Sequence, residues 1–151
     1  MDSPTLLAWE PIVRVGAFAA VFALMALWEL LAPFRAHRLT RRARWPSNIA
    51  LVVLDTLFVR ILLPTGAVGL AVYAQTAGLG LFNAWGVPAL VAVPLGVILL
   101  DLAIYAQHVL FHAVPALWRL HRVHHADQDL DVSTGVRFHP IEIILSMLIK
   151  L

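Results

Sequence analysis

Long apolar stretches separated by short polar segments dominate this chain. Three stretches have the length of a membrane span, at residues 12–32, 49–73 and 85–107, and a fourth, 141–151, reaches about half a span. A spanning helix needs roughly 20 apolar residues, at about 1.5 Å of rise each. The pattern predicts an all-α, polytopic transmembrane protein whose residues 1–151 form a single membrane domain.

Composition supports a membrane setting. Hydrophobic residues make up 61% of the chain and charged residues 13%, whereas soluble domains carry about 25% charged residues. The first apolar stretch is too long for the core of a signal peptide and contains Arg14, so it is interpreted as a retained anchor. Because the chain has no cysteine, thiolate metal sites and iron–sulfur ligation are excluded, which leaves histidine and carboxylate as ligands.

Arginine predicts the orientation. The segment after the first stretch holds five arginines, whereas residues 75–84 carry no charge; the five are Arg35, Arg38, Arg41, Arg42 and Arg44. Positively charged loops stay in the cytoplasm, and counting the spans forward brings Arg119, Arg122 and Arg137 to the same side. Since these arginines flank spans, membrane lipid headgroups are the expected partners and nucleic acid is not.

Two polar features interrupt the second stretch. Arg60 needs a partner inside the membrane, and Asp55 or Asp101 could provide one. Such an ion pair could be purely structural or could support a site, and the sequence leaves both open. Pro64 removes a backbone hydrogen bond to the carbonyl of Arg60, which predicts a kink. Glu29 is interpreted as an interfacial residue.

Six of the seven histidines lie between Asp101 and Glu142. His108 and His112 are four residues apart, so on a helix they share one face and can converge on one ion. The same face continues back to Tyr105 and Asp101. Asp101 is placed to accept a hydrogen bond from a histidine ligand, which would fix its tautomer, or from Tyr105. Pro115 is expected to end the helix.

A second histidine group follows that proline. His121, His124 and His125 point to one side if residues 118–126 are helical. Five imidazoles exceed the needs of one tetrahedral ion, so two ions, or one octahedral ion with redundancy, are expected. His139 could be a further ligand, a residue that supports the ligands, or a loop residue. His37 is assigned to solvent or to a hydrogen-bonded core position.

The ligand pattern narrows the chemistry. A zinc protease of the His-Glu-x-x-His type needs a glutamate after the first histidine, but Val109, Leu110 and Phe111 fill the positions between His108 and His112. Haem ligation by two histidines would use single residues on facing spans. Non-haem iron with open positions suits oxygen activation beside unactivated hydrocarbon.

Several motifs together resemble the sterol desaturase and fatty acid hydroxylase superfamily. They are Asp101 to His112, Pro115 to Trp118, His121-Arg-Val-His124-His125, and Thr134 to Glu142, with Arg44-Trp-Pro-Ser-Asn48 upstream. The motif part covers about residues 95–151, and the upstream motif is similar to that of bacterial members. The resemblance implies a di-iron, O2-dependent enzyme that hydroxylates or desaturates a sterol or fatty acyl lipid. Its electron donor is unidentified, and its histidine boxes would lie on the cytoplasmic side of a bacterial inner membrane.

One departure shapes the functional expectation. Members of the superfamily carry further histidine boxes downstream that complete the two-iron site, and none follows before Leu151. The chain is therefore expected to be a fragment or truncated product of a lipid oxygenase, or to take ligands from a partner chain. The alternative is a non-catalytic membrane protein that retains a partial metal site.

Overall fold

The computed structural model describes residues 3–64 and 66–151, and the described residues form an all-α fold without strands. The helices are α1 (Ser3–Leu31), α2 (Arg41–Leu62), α3 (Gly66–Thr76), α4 (Leu81–Ala84), α5 (Ala89–Ala113), α6 (Pro115–His121) and α7 (Pro140–Lys150). Two short 3-10 segments lie at His124–Ala126 and Thr134–Val136.

Three described stretches are long and apolar enough to cross a membrane: Ala8–Leu31, Arg41–Ala84 and Ala89–Ala113. Their mean hydropathy is 1.9, 1.9 and 2.3, and nearly all of their side chains are exposed on the protein surface. Exposed apolar side chains suit a surface that faces lipid tails. The predicted all-α class with spanning helices is confirmed, and the chain has the character of an integral membrane protein.

The second predicted span differs from the structure. Residues 49–73 were expected to form one helix with a kink, but α2 ends at Leu62 and α3 begins at Gly66. Leu63 leaves the helical conformation, with φ −131° and ψ 65°. Pro64 offers no N–H to continue the helix. Gly66 has φ +56°, a left-handed conformation that glycine adopts readily, so the helix is interrupted between Leu62 and Gly66 and does not continue through a kink.

Arg60 also departs from expectation. Within the described part of the chain, no ion pair joins it to Asp55 or to Asp101. Arg60 is exposed near the end of α2, while Asp55 is buried. Glu29 contacts Arg41 at 3.6 Å, which agrees with its interpretation as a residue near the end of a span.

Helix packing gathers the chemistry at one end of the molecule. α6 packs on α5, and α7 packs on α5, α6 and α2. Phe22 of α1 meets Trp45 of α2 edge to face, with ring centroids 5.7 Å apart. The backbone N–H groups of Arg38 and Leu39 donate to Asp129. The basic segment after α1 and the region that carries the histidines therefore lie on the same side.

Candidate metal centre

Four histidines converge at the junction of α5 and α6. One ligand atom from each of His108, His112, His121 and His125 lies within 4.8 Å of all the others. The ring centroids of His108 and His112 are 4.7 Å apart, and that of His121 lies 4.8 Å from each. We call these residues the four-histidine cluster.

The local sequence explains the convergence. His108 and His112 share a face in the last turns of α5 because they are four residues apart. α5 ends at Ala113, and Val114 is extended with φ −97° and ψ 118°. Pro115 then occupies the first turn of α6, where a missing N–H costs nothing. The turn allows α6 to fold against α5 and brings His121 to the first pair.

Residues 118–126 do not form the continuous helix that would place His121, His124 and His125 on one side. α6 stops at His121, and the chain re-forms only as a 3-10 segment at His124–Ala126. Of the two neighbouring histidines in this segment, His125 contributes a ligand atom to the four-histidine cluster, and His124 does not. The His124 ring stacks on Phe138 with centroids 4.7 Å apart and an interplanar angle of 3°. Its Nδ1 lies 3.3 Å from the carbonyl oxygen of Arg137.

His121 is held from both sides. Its Nδ1 lies 2.7 Å from Glu142 Oε1, and its Nε2 lies 3.2 Å from His125 Nε2. When Nδ1–H donates to the carboxylate, the lone pair of Nε2 faces the cluster. Two imidazole nitrogens that each lie about 2.0–2.1 Å from a shared ion are roughly 3 Å apart. The observed separation fits two ligands of one ion.

The charge state of the cluster favours metal binding. Burial, together with His108 and His112, lowers the pKa of His121 to about 4. Burial and then His121 also lower the pKa of His125. These imidazoles are therefore neutral at pH 7, and neutral imidazole is the form that binds metal. The donor set of the cluster fits a transition-metal ion that prefers nitrogen ligands.

The remaining predicted site residues lie outside the cluster. His139 caps α7, its Nδ1 accepting from the N–H of Ile141 at 3.2 Å. His37 lies in the segment between α1 and α2. Among the side-chain hydrogen bonds of residues 3–64 and 66–151, none joins Asp101 or Tyr105 to a histidine. Both are exposed on α5, and Glu142 makes the contact expected of Asp101.

A buried polar network supports the segment between the cluster and α7. Arg44 of α2 donates to Asp127 Oδ2 at 2.9 Å, to the Asp129 carbonyl at 2.9 Å and to Asp131. Asn48, one turn further along α2, donates to Asp127 at 3.0 Å and to Ser133 at 2.9 Å. The side chains of Arg44, Asp127, Asp129 and Asp131 in this network are at most 3% exposed, and Asn48 and Ser133 are buried as well. We call it the Arg44 network.

The carboxylates of the Arg44 network are held ionised. Burial alone would raise the pKa of Asp127, but hydrogen bonds from Asn48 and from the Asp129 backbone, together with Arg44, keep it below its usual value. Asp131 behaves in the same way, with Ser133 and Trp45 as donors. Arg137 extends the network by donating to Asn48 Oδ1 at 3.1 Å. Since the Arg137 carbonyl meets His124, the network reaches the histidine region.

Fold and site together define a class: a helical protein with candidate membrane-spanning helices and, at the end of one of them, a histidine cluster that could hold a metal ion. The family model described as fatty acid hydroxylase matches residues 93–151. The match begins within α5 and includes all six histidines of the motif region and Glu142, while Arg44 and Asn48 lie outside it. The sequence resemblance is thereby confirmed for this segment. No curated protein and no solved structure matches the chain.

Proposed function

We propose that this protein is an iron-dependent membrane oxidoreductase that uses O2 to hydroxylate or desaturate a lipid of sterol or fatty acyl type. The observation that carries the proposal is the convergence of four histidine ligand atoms within 4.8 Å in a segment matched by the fatty acid hydroxylase family. Imidazole ligands suit iron, although they also suit zinc and copper, so the choice of iron rests on the family.

Each part of the chain has a role in this proposal. The four-histidine cluster would hold the ion, and bound iron would supply O2 activation at open coordination positions. Glu142 orients His121 by accepting a hydrogen bond from its Nδ1–H. The Arg44 network fixes the segment that joins His125 to α7. The apolar surface of α5 brings the site to the end of a span, where a lipid chain can approach.

The number of ions is a separate part of the proposal. Four histidines suit one ion, and a two-ion site would need ligands beyond the cluster. His124 and His139 are proposed for that second ion, and both would have to leave the contacts described above. A site with one ion also fits the alternative of a non-catalytic membrane protein. An unidentified electron donor completes the proposed reaction.

Location and organisation are proposed on the same grounds. We infer that residues 1–151 act as one membrane domain, since α7 packs on both α2 and α5. The positive-inside rule supports an orientation with the histidines facing the cytoplasm. The similarity of the upstream Arg44–Asn48 motif to that of bacterial members supports a bacterial inner membrane. Anionic membrane lipids are the proposed contacts of the exposed arginines, and no nucleic acid is expected.

The test uses the full chain purified in detergent after expression with iron. We expect iron to bind, and O2 consumption with a chemical reductant to increase when lipid is added. His112→Ala should abolish both effects, whereas the matched control His37→Ala should change neither. Iron binding without lipid-dependent O2 use would favour the non-catalytic alternative. If His112→Ala bound as much iron as the wild type, the proposed site would be rejected.

A further inference from the structure

The end of the molecule that carries the four-histidine cluster has a positively charged surface. Residues 32–48 and 113–142 contain eight arginines and four carboxylates. The four carboxylate side chains, of Asp127, Asp129, Asp131 and Glu142, are at most 5% exposed. The exposed charged residues of these two segments are Arg35, Arg38, Arg42, Arg119 and Arg122. Such a surface attracts an anionic partner and repels a cationic one.

Two of these arginines lie beside the cluster. Trp118 of α6 packs against two cluster imidazoles, with its ring centroid 5.2 Å from that of His112 and 5.6 Å from that of His125. Arg119 follows it directly. The backbone N–H of Arg122 donates to the Trp118 carbonyl at 2.8 Å, so Arg122 and Trp118 are one helical turn apart and share a face. We call Trp118, Arg119 and Arg122 the α6 surface.

The cluster itself is open on this side of the fold. His108, His112 and His125 are exposed, as is Trp118, whereas His121 is buried. α6 begins after the last residue of the candidate span Ala89–Ala113, so it lies beyond the stretch that would cross the bilayer. A water-soluble protein could therefore contact these imidazoles without entering the lipid. Tryptophan and arginine are also the residues that contribute most often to the affinity of protein interfaces.

We propose that the α6 surface is the docking site of the electron donor, a small water-soluble one-electron carrier with an acidic face. The inference rests on the proposed function. Hydroxylation of one C–H bond consumes O2, two electrons and two protons and yields an alcohol and one water; desaturation consumes the same and yields an alkene and two waters. Two reduced carriers, each oxidised by one electron, supply the electrons, and the protons come from solvent. Docking on α6 brings the carrier next to the ligands.

Anionic lipid headgroups are the alternative partner of the α6 arginines. A headgroup would neutralise Arg119 and Arg122, but it would leave unexplained why an exposed indole packs against two cluster imidazoles between the arginines and the cluster. Electron-transfer complexes use small interfaces, which a patch of this kind can provide. The observations therefore favour a protein on the α6 surface, and binding of lipid there is an outcome of the test.

The first experiment measures binding to the metal-free full chain in phosphatidylcholine nanodiscs. The probe is an acidic plant-type [2Fe–2S] ferredoxin, and a basic cytochrome c is the control. We expect only the ferredoxin to bind, and more weakly as the ionic strength rises from about 0.01 M to about 0.15 M. Combining Arg119→Gln with Arg122→Gln should weaken binding about three- to tenfold, the effect of two exposed charges. Combining Arg35→Gln with Arg42→Gln removes the same charge elsewhere and should change the affinity less than about twofold.

The second experiment mixes reduced ferredoxin with the iron-loaded chain, without lipid or O2, and follows ferredoxin oxidation by absorbance. Arg119→Gln with Arg122→Gln should slow this oxidation, and the Arg35 and Arg42 variant should not. Electron transfer without later lipid oxidation would support the docking site while the proposed function fails. The proposal is overturned if ferredoxin and cytochrome c bind alike, or if the two double variants behave alike. It is also overturned if the Arg119 and Arg122 variant loses copurifying phosphatidylglycerol but keeps its ferredoxin affinity, because these arginines would then contact headgroups.

Discussion

Arg44 Nη1 lies 2.9 Å from Asp127 Oδ2, and this contact joins residues 83 positions apart in the chain. It connects the start of α2 to the segment that follows the histidines. The histidine region is therefore supported by a helix that contributes no histidine to the cluster. A buried arginine that serves several carboxylates can hold such a segment in one geometry, because its planar guanidinium offers donors in fixed directions.

Removing Arg44 should be among the most destabilising changes in the chain. Arg44→Ala leaves Asp127 and Asp131 without their cation, and breaking a buried pair in this way costs about 3–5 kcal/mol. We expect a lower midpoint of thermal unfolding in detergent and a lower metal content. Arg44→Lys should rescue only part of this loss, because one ammonium cannot match the guanidinium geometry.

Arg42→Ala is the matched control for this prediction. Arg42 lies in the same turn of α2 but is exposed, and surface charges contribute little to stability. Its unfolding midpoint should stay close to that of the wild type. Equal effects of Arg42→Ala and Arg44→Ala would contradict the supporting role assigned to the Arg44 network.

Local patterns in the sequence predicted the long apolar helices and the pairing of His108 with His112. Hydrophobic length indicated the spans, the four-residue spacing of His108 and His112 placed them on one face, and Pro115 marked the end of α5. These features depend on residues close together in the chain. The sequence predicted only a kink at Pro64, whereas the helix is interrupted there. Hydropathy does not reveal the left-handed conformation of Gly66 that accompanies the interruption.

The Arg44 network escaped sequence reasoning because its contacts join residues of α2 to residues 79 to 89 positions further along the chain. The sequence did contain a clue to this network. Asp127, Asp129 and Asp131 occupy every second position close to apolar segments, where a cluster of carboxylates needs a cation nearby. The upstream motif around Arg44 was noted only as a resemblance. Sequence reasoning also missed Glu142. Asp101 lies on the same face of α5 as His108 and His112, but the carboxylate that contacts His121 is that of Glu142, which lies on α7.

Glu142 gives a second prediction. Glu142→Leu removes the acceptor of the His121 Nδ1 proton, so the ring can rotate and Nε2 loses its fixed direction. Loss of such a supporting contact lowers metal affinity by about 10–100-fold, measurable by competition with a chelator. Glu142→Gln keeps an acceptor and should lose less. Asp101→Asn should leave the affinity unchanged, and an effect equal to that of Glu142→Leu would restore the role that the sequence predicted for Asp101.

Topology can be tested with single cysteines, because the chain has none of its own. Ala36→Cys and Leu130→Cys place exposed thiols beside the basic segment and beside the Arg44 network, and Leu79→Cys places one in the turn after α3. We expect a membrane-impermeant maleimide on intact cells to label Leu79→Cys only. Labelling of all three should follow cell lysis. Labelling of Leu130→Cys in intact cells would reverse the proposed orientation.

The last prediction concerns acid sensitivity. Burial lowers the pKa of His121 to about 4 and lowers those of His124 and His125, whereas unfolded histidine titrates near 6.5. Between these values the unfolded chain binds more protons than the folded chain, so stability falls as pH falls. The metal-free protein should thus keep a constant unfolding midpoint above pH 6.5 and lose stability progressively from there towards pH 4.

The carboxylates of the Arg44 network do not produce this slope. Their folded pKa values lie below the usual 3.8, so their contribution is complete above that pH and is lost only as pH falls further. Burial raises the pKa of Glu142, so this carboxyl acts in the opposite direction within the same range. The contribution of His121 is therefore the difference between the wild-type and His121→Gln midpoints from pH 8 to pH 4.5, and the wild-type curve should fall more steeply. If acidification stabilised the wild type relative to His121→Gln, Glu142 would be stabilising a protonated His121, and the cluster would then bind metal far less readily near neutral pH.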